Sequence, residues 1–287
     1  MTLLIFGETG QVARELARLA PDAQTLDRTQ ADFTDPDRCV AAIARYAPRA
    51  IIIAAAYTAV DRAETDPDLA QIVNATTPGV IAHAAAAQGI PLLHLSSDYV
   101  FDGHGSAPFA PQDETAPLGV YGRTKRDGEV AVRAADGPHI ILRTSWVVSA
   151  HGTNFVKTML RLGAARDTLS VVADQISGPT AAHDIATACL HMLDALCADK
   201  TLSGTYHFSG TPDVSWADFA RAILQRAALP CTVLDIATSG YPTPAPRLVN
   251  SRRDCATTLR RFGIVRPDWR TGLDTILHDL KPETPPQ

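Results

Sequence analysis

Tyr121 and Lys125 stand four residues apart in Tyr-Gly-Arg-Thr-Lys, a spacing that projects both from one face of a helix. A phenol with a pKa of ~10 is a poor acid–base group at neutral pH. An ammonium beside it stabilises the phenolate and is expected to bring that pKa down. Alone, the pair also reads as two exposed helix residues. A second segment changes the balance: Ser96-Ser97-Asp98-Tyr99-Val100-Phe101-Asp102-Gly103 directly follows an apolar run, Ile90 to Leu95. Ser97, at the end of that strand, would cap it or donate a hydrogen bond to a substrate carbonyl. A phenol, an ammonium and a strand-end hydroxyl together are the tools for protonating a carbonyl as hydride arrives.

Hydride needs a donor, and the N-terminus offers a place for one. Gly7-Glu8-Thr9-Gly10-Gln11-Val12-Ala13 follows the apolar run Leu3 to Phe6 and opens a helical pattern. Gly7 permits a tight turn, Gly10 lets backbone approach a pyrophosphate at the helix N-terminus, and Ala13 allows close helix–strand packing. A glycine pair by itself is weak; its position after the first strand points to a dinucleotide site. Asp27, near the end of the second strand, is placed to accept from a ribose 2′-hydroxyl, and Arg28 beside it to accommodate a 2′-phosphate. NADH and NADPH both stay open. Asp32 and Phe33 read as contacts on the adenine side, with Phe33 equally a core residue.

These groups need elements to position them. Strands are expected at Leu3 to Phe6, Ala23 to Leu26, Ala50 to Ala56, Ile90 to Leu95 and His139 to Leu142. Helices are expected from Gln11 to Leu19, Arg38 to Tyr46, Leu69 to Gln88 and Tyr121 to Ala134. The strands lack polar alternation, so they are buried on both faces. Alternating strand and helix predict an α/β fold, a doubly wound parallel sheet of Rossmann type with ligands at the carboxyl ends of its strands. Residues 1–150 read mainly as the dinucleotide-binding domain, and 151–287 mainly as a smaller substrate-binding lobe with returns to the sheet. In that second part helices are expected at Phe155 to Leu162, Ala181 to Leu196, Trp216 to Ala227 (N-capped by Ser215) and Thr271 to Leu280, with a short strand at Tyr206 to Phe208. Three prolines in Gly240 to Pro246 exclude helix and central strand there. The Pro-rich tail is expected to fray.

Composition narrows the partners. The chain has 287 residues, 46% hydrophobic and 20% charged, with a net charge of −5. No basic field is available for a nucleic-acid backbone, and no apolar stretch reaches membrane-span length. Five cysteines without paired or metal-ligand spacing read as reduced thiols, consistent with a cytoplasmic enzyme.

With these residues in view, the chain resembles the extended short-chain dehydrogenase/reductase superfamily, and within it the dTDP-4-dehydrorhamnose reductases. The closer resemblance rests on Ala54 to Glu64, on Ser-Ser-Asp-Tyr-Val-Phe and on Arg143-Thr144-Ser145-Trp146-Val147. It extends through Asn154 to Leu160, Asp174-Gln175 with Pro179-Thr180, and Tyr241 to Arg247 with Asn250-Ser251-Arg252. The resemblance implies NADH- or NADPH-dependent reduction of the C4 ketone of dTDP-4-dehydro-L-rhamnose, by a monomer or homodimer. It implies Tyr121 as proton donor, Lys125 as its modulator and Ser97, where most relatives have Thr, as the carbonyl-orienting residue. Gly10, Gln11, Val12, Asp27, Asp32, Phe33, Ala56, Tyr57 and Thr58 match cofactor positions; Asp98, Tyr99 and Trp146 match the sugar side. Arg247 and Arg252 would meet the nucleotide or brace their loop. Val148 replaces a common aromatic, which suggests an altered sugar pocket. Some relatives bridge a dimer through magnesium and glutamates; here Glu15 is in place but His183 stands where another glutamate is expected, so no metal site is predicted. His183 reads as a capping or surface histidine, and His151, in a flexible substrate-side loop, as solvent-facing. Other readings are an epimerase or dehydratase acting on another nucleotide sugar, or a non-catalytic regulatory subunit. Tyr99, where a dehydratase needs a second carboxylate, and retention of the Ser, Tyr and Lys speak against them.

Overall fold

The computed structural model describes residues 2–280. The first half runs β1 (Leu3–Phe6), α1 (Gln11–Leu19), β2 (Gln24–Leu26), α2 (Pro36–Tyr46), β3 (Ala50–Ile53), α3 (Val60–Ala63), α4 (Pro67–Gln71), α5 (Thr77–Ala87), β4 (Leu92–Ser97), α6 (Val120–Ala134) and β5 (His139–Thr144). The second half adds β6 (Val147–Val148), α7 (Phe155–Gly163), β7 (Thr168–Val172), β8 (Ile176–Ser177), β9 (Thr180–Ala181) and α8 (Ala182–Ala198). It ends with β10 (Gly204–His207), β11 (Val214–Ser215), α9 (Trp216–Arg226), β12 (Thr232–Ile236), α10 (Ala256–Phe262) and α11 (Trp269–Asp279). The tail expected to fray lies almost wholly outside the described residues.

The main sheet has the order β10-β5-β4-β3-β1-β2, and every pairing is parallel. Its strands are buried on both faces because alternate side chains enter two cores. Leu4, Phe6, Ile51 and Ile53 pack under α2 and α5, while Ile5, Ile52, Ile140 and Leu142 pack under α8. Both α8 and β10 come from the second half, so the sheet is completed late in the chain. A third core gathers α7, β7, α9, β12 and α11 around Phe219, Ile223 and Leu273.

The structure departs from the sequence expectation in several places: the strand expected over Ala50 to Ala56 ends at Ile53, and α3, α10, β6, β8, β9 and β11 match no expected element. The single helix over Leu69 to Gln88 is broken by a π-helical turn, Ile72–Thr76. Pro78 has no N–H to give Asn74, and widening the preceding turn frees that carbonyl. The parallel pair β7 and β12 was not anticipated. Its strands are short, half exposed and without a strong apolar signal.

Helix α6 is held unusually close. Built on ideal geometry, a Cβ at Gly128 would run into the Asn74 carbonyl, and one at Gly122 into the carbonyl of Tyr99. Behind it, fully buried Glu129 accepts from Arg143 Nε and Nη2 at 2.8 and 2.6 Å and from the Ser96 hydroxyl at 2.6 Å. Burial pushes the Glu129 carboxyl up, but the Arg143 bonds and charge overcome it and hold the group below its ordinary range. Replacing Glu129 by Gln leaves Arg143 buried without its counter-charge; a loss of about 3–5 kcal/mol is expected, read as a lowered denaturation midpoint. Gly128→Ala should also destabilise, by about 1–3 kcal/mol, because the helix must move off the π turn.

Candidate active site

The loops after β1, β3, β4 and β5 converge at the carboxyl edge of the sheet and line one cavity of about 1910 Å³. This is where an open parallel sheet places its ligand. Every cofactor residue expected from sequence lines it: Gly7, Gly10, Gln11, Val12, Asp27, Asp32, Phe33, Ala56, Tyr57 and Thr58. So do Ser97, Asp98, Tyr99, Tyr121, Lys125, Trp146 and Arg247. Arg252 and Val148 do not.

The glycine loop is built as a cradle. Gly7 has φ +116°, and a Cβ there would press on Ala55 N at 3.1 Å. The first turn of α1 has no side-chain cap, so its amides remain available to an anion. Asp27 Oδ1 accepts from the Thr29 and Gln30 amides at 2.8 and 3.0 Å. The Thr29 hydroxyl and those amides hold its carboxyl below the ordinary range. Asp32 similarly closes a turn through the Thr34 amide at 2.9 Å. Phe33 is both cavity wall and core, packed edge-on against Phe6.

Gln11 serves the loop after β6 as well as the cavity. Its side-chain oxygen accepts from Ser149 Oγ at 2.8 Å and Asn154 Nδ2 at 2.9 Å. His151 Nε2 lies 3.1 Å from Glu15 Oε1, so this segment is tied to α1, and His151 is a partner of Glu15 instead of a solvent-facing side chain. His183 Nδ1 lies 3.5 Å from the other oxygen of Glu15. Arg18 Nη2, 2.7 Å from that imidazole nitrogen, brings a cation to the cluster. No group of three or more metal-ligating side chains with coordinating geometry occurs among the described residues.

At the catalytic edge, the Ser97 hydroxyl donates to Asp98 Oδ1 at 2.9 Å and accepts from Tyr99 N at 3.2 Å. Ser97 thus caps the turn, as one sequence reading has it, and its residue also lines the cavity. Tyr121 packs edge-on against Tyr99 at 5.3 Å. Burial pushes its phenol up to about 12, with the Ser97 hydroxyl pulling the other way and Asp98 adding to the rise. The expected depression by Lys125 is not what the structure gives. Lys125 Nζ is directed to Leu95 O at 2.7 Å and to His94 at 3.4 Å, and burial brings it down to about 8 against the opposing charge of Glu129.

Trp146 has φ +47°, a left-handed conformation that is costly for a bulky residue and that cluster at functional sites. Its indole stacks on Trp216, which in turn touches Phe155. Val148 is buried in the third core, so the aromatic missing there is not missing from the cavity wall. Arg247 pairs with Asp61 at 2.7 Å and braces its loop, and Arg252 bonds Asn250 at 3.1 Å away from the cavity.

Sequence reasoning missed two supports. Asn74, buried in the π turn, accepts from Tyr57 N and donates to Tyr57 O and Thr124 Oγ1, joining the β3 loop to α6. Glu129 continues the Tyr121, Lys125 spacing by one more helical turn, a signal that was legible. Nothing in the sequence marks Trp216 as part of the cavity.

A profile for the RmlD substrate binding domain matches residues 1–281. The chain is 44% identical to the dTDP-4-dehydrorhamnose reductase of Sinorhizobium fredii, with 94% of each protein covered. It is 39% identical to that of Escherichia coli K12, with 98% of each covered. Among solved structures, a dTDP-4-dehydrorhamnose reductase from Clostridium acetobutylicum superposes with a TM-score of 0.91 at 33% identity, over 98% of this chain and 99% of that one. One from Bacillus anthracis, in complex with NADP, gives 0.89 at 34% identity over 97% and 99%. Profile, sequence and fold agree over nearly the whole length: the chain belongs to the dTDP-4-dehydrorhamnose reductase family.

Proposed function

We propose that this protein reduces the C4 ketone of dTDP-4-dehydro-L-rhamnose to dTDP-L-rhamnose, using NADPH or NADH. The observation that carries the reading is the meeting of Ser97, Tyr121 and Lys125 at one wall of the cavity whose other end is the glycine cradle. The uncapped α1 N-terminus and Gly7 fit a pyrophosphate, with Gln11, Val12 and Ala56 to Thr58 along the same channel. When bound there, the dihydronicotinamide supplies hydride.

The chain's own residues supply the proton and its control. A phenol held near 12 is fully protonated at neutral pH, the state a proton donor to a nascent alkoxide needs. Ser97 turns its hydroxyl from Asp98 to the ketone oxygen and polarises it. The Lys125 ammonium offsets negative charge left on Tyr121 after transfer. Residues 1–150 serve mainly the cofactor. Residues 151–287 serve mainly the sugar nucleotide, through Arg247 among others, together with Asp98, Tyr99 and Trp146 from the first part, Trp146 offering an apolar face to the 6-deoxy sugar. We place the activity in the cytoplasm, as monomer or homodimer; the five free cysteines are in keeping with this.

Purified protein should oxidise NADPH or NADH only when dTDP-4-dehydrorhamnose is added, with dTDP-L-rhamnose as product; no cofactor oxidation would refute the activity. Tyr121→Phe should lower kcat by about 10²–10⁴-fold with cofactor Kd nearly unchanged.

The alkaline limb of kcat/KM tests Lys125. The protonated amine is the active form, so activity should be full below about 8 and fall as pH rises through that value. For cofactor choice, Arg28→Ala should weaken NADPH about tenfold and leave NADH nearly unchanged, whereas Asp27→Ala should mainly weaken NADH. Binding titrations with each cofactor separate the two.

A further inference from the structure

Lys125 carries three N–H donors and no acceptor, and all three must be directed somewhere because the residue is buried. One goes to Leu95 O at 2.7 Å, and a second is directed at His94 Nε2 at 3.4 Å. Lys125 also lines the cavity, which leaves one donor for whatever binds there. An ammonium has no lone pair, so a hydrogen bond across this contact requires His94 Nε2 as acceptor and the imidazole proton on Nδ1. That Nδ1 is buried and has no hydrogen-bond partner among the described residues. A leucine at position 94 would fill a fully buried strand site without leaving an orphaned donor. Histidine is therefore a poor choice for packing alone.

The local pattern explains how it reaches the lysine. Alternate residues of β4 point to one face, and His94 and Ser96 meet Lys125 and Glu129, one helical turn apart on α6. We infer that His94 is a positioning residue for the reduction, whose Nε2 fixes the Lys125 ammonium so that a single N–H is presented to the cavity beside Tyr121. This rests on the reductase reading of the same site.

The charged and titratable groups around the pair are few. Glu129 faces it from α6, Arg143 from β5 is bonded to Glu129, and Tyr121 and Asp98 stand on the cavity side. Burial, with the Lys125 charge, holds the His94 imidazole well below its ordinary range, so it is neutral and able to accept. Losing that acceptor makes the ammonium less favourable, and the Lys125 titration must move to lower pH.

The test is a titration of ¹³Cε-labelled lysines in the full chain without cofactor, with Lys125 assigned through Lys125→Arg. His94→Leu should lower the Lys125 midpoint by about one pH unit, a tenfold change in proton affinity, and shift the alkaline limb of kcat/KM down with it. His94→Gln, whose side-chain oxygen can take the place of Nε2, should keep the midpoint near that of the wild type. An unchanged midpoint in folded His94→Leu overturns the inference, as does a Gln variant that behaves like Leu. Nitrogen-15 NMR of the wild type gives an answer that needs no variant: the Nδ1–H tautomer is expected, and an Nε2–H tautomer overturns it. Failure of the reductase reading would look different, as wild-type protein that turns over no substrate while the Lys125 midpoint still responds to His94.

Discussion

The site depends on how tightly α6 is docked against the carboxyl end of β4. That docking joins three things: two glycines that let the helix approach backbone, a buried Glu129–Arg143 pair, and a lysine whose ammonium bonds acceptors on the strand. A buried ion pair is weak evidence for net stability, because desolvation offsets much of the attraction. Its effect here is one of place. Arg143 comes from β5, Ser96 from β4 and Glu129 from α6, so one set of bonds fixes three elements in mutual register directly behind the reacting wall.

The same economy governs protonation. Lys125 is buried and Tyr121 half-buried, and the loss of solvent disfavours the charged form of each, raising the phenol and lowering the amine. For a reductase these shifts are useful in opposite ways. The phenol keeps the proton it has to give, and the amine sits close to neutrality, where small changes in its acceptors decide its charge.

Away from the reacting wall, the loop after β6 is tied back to α1 by polar contacts. Gln11 and Glu15, on the first helix, hold Ser149, Asn154 and His151. Segments beside the cavity thus bond one another, and the strained Trp146 lies in the same stretch of chain, between β5 and β6.

The sequence by itself determined the alternation of buried strands and helices, the glycine cradle after β1, and the Ser97, Tyr121 and Lys125 set. The strands, the cradle and the Tyr121–Lys125 pair depend on local periodicity or on spacing within one element, and Ser97 on its place at a strand end; that Ser97 meets the pair is decided by the fold. It also held Glu129, one turn beyond Lys125, for a reader prepared to extend the spacing. Only the tertiary structure decided what the lysine faces, that Tyr121 rises instead of falling, that His151 pairs with Glu15, and that Arg252 and Val148 stand away from the cavity. It alone brought Trp216 onto Trp146, and broke the predicted long helix to aim Asn74 at α6. These outcomes turn on burial and on contacts between segments far apart in the chain, and neither the dielectric around a group nor its distant partner is written in local order.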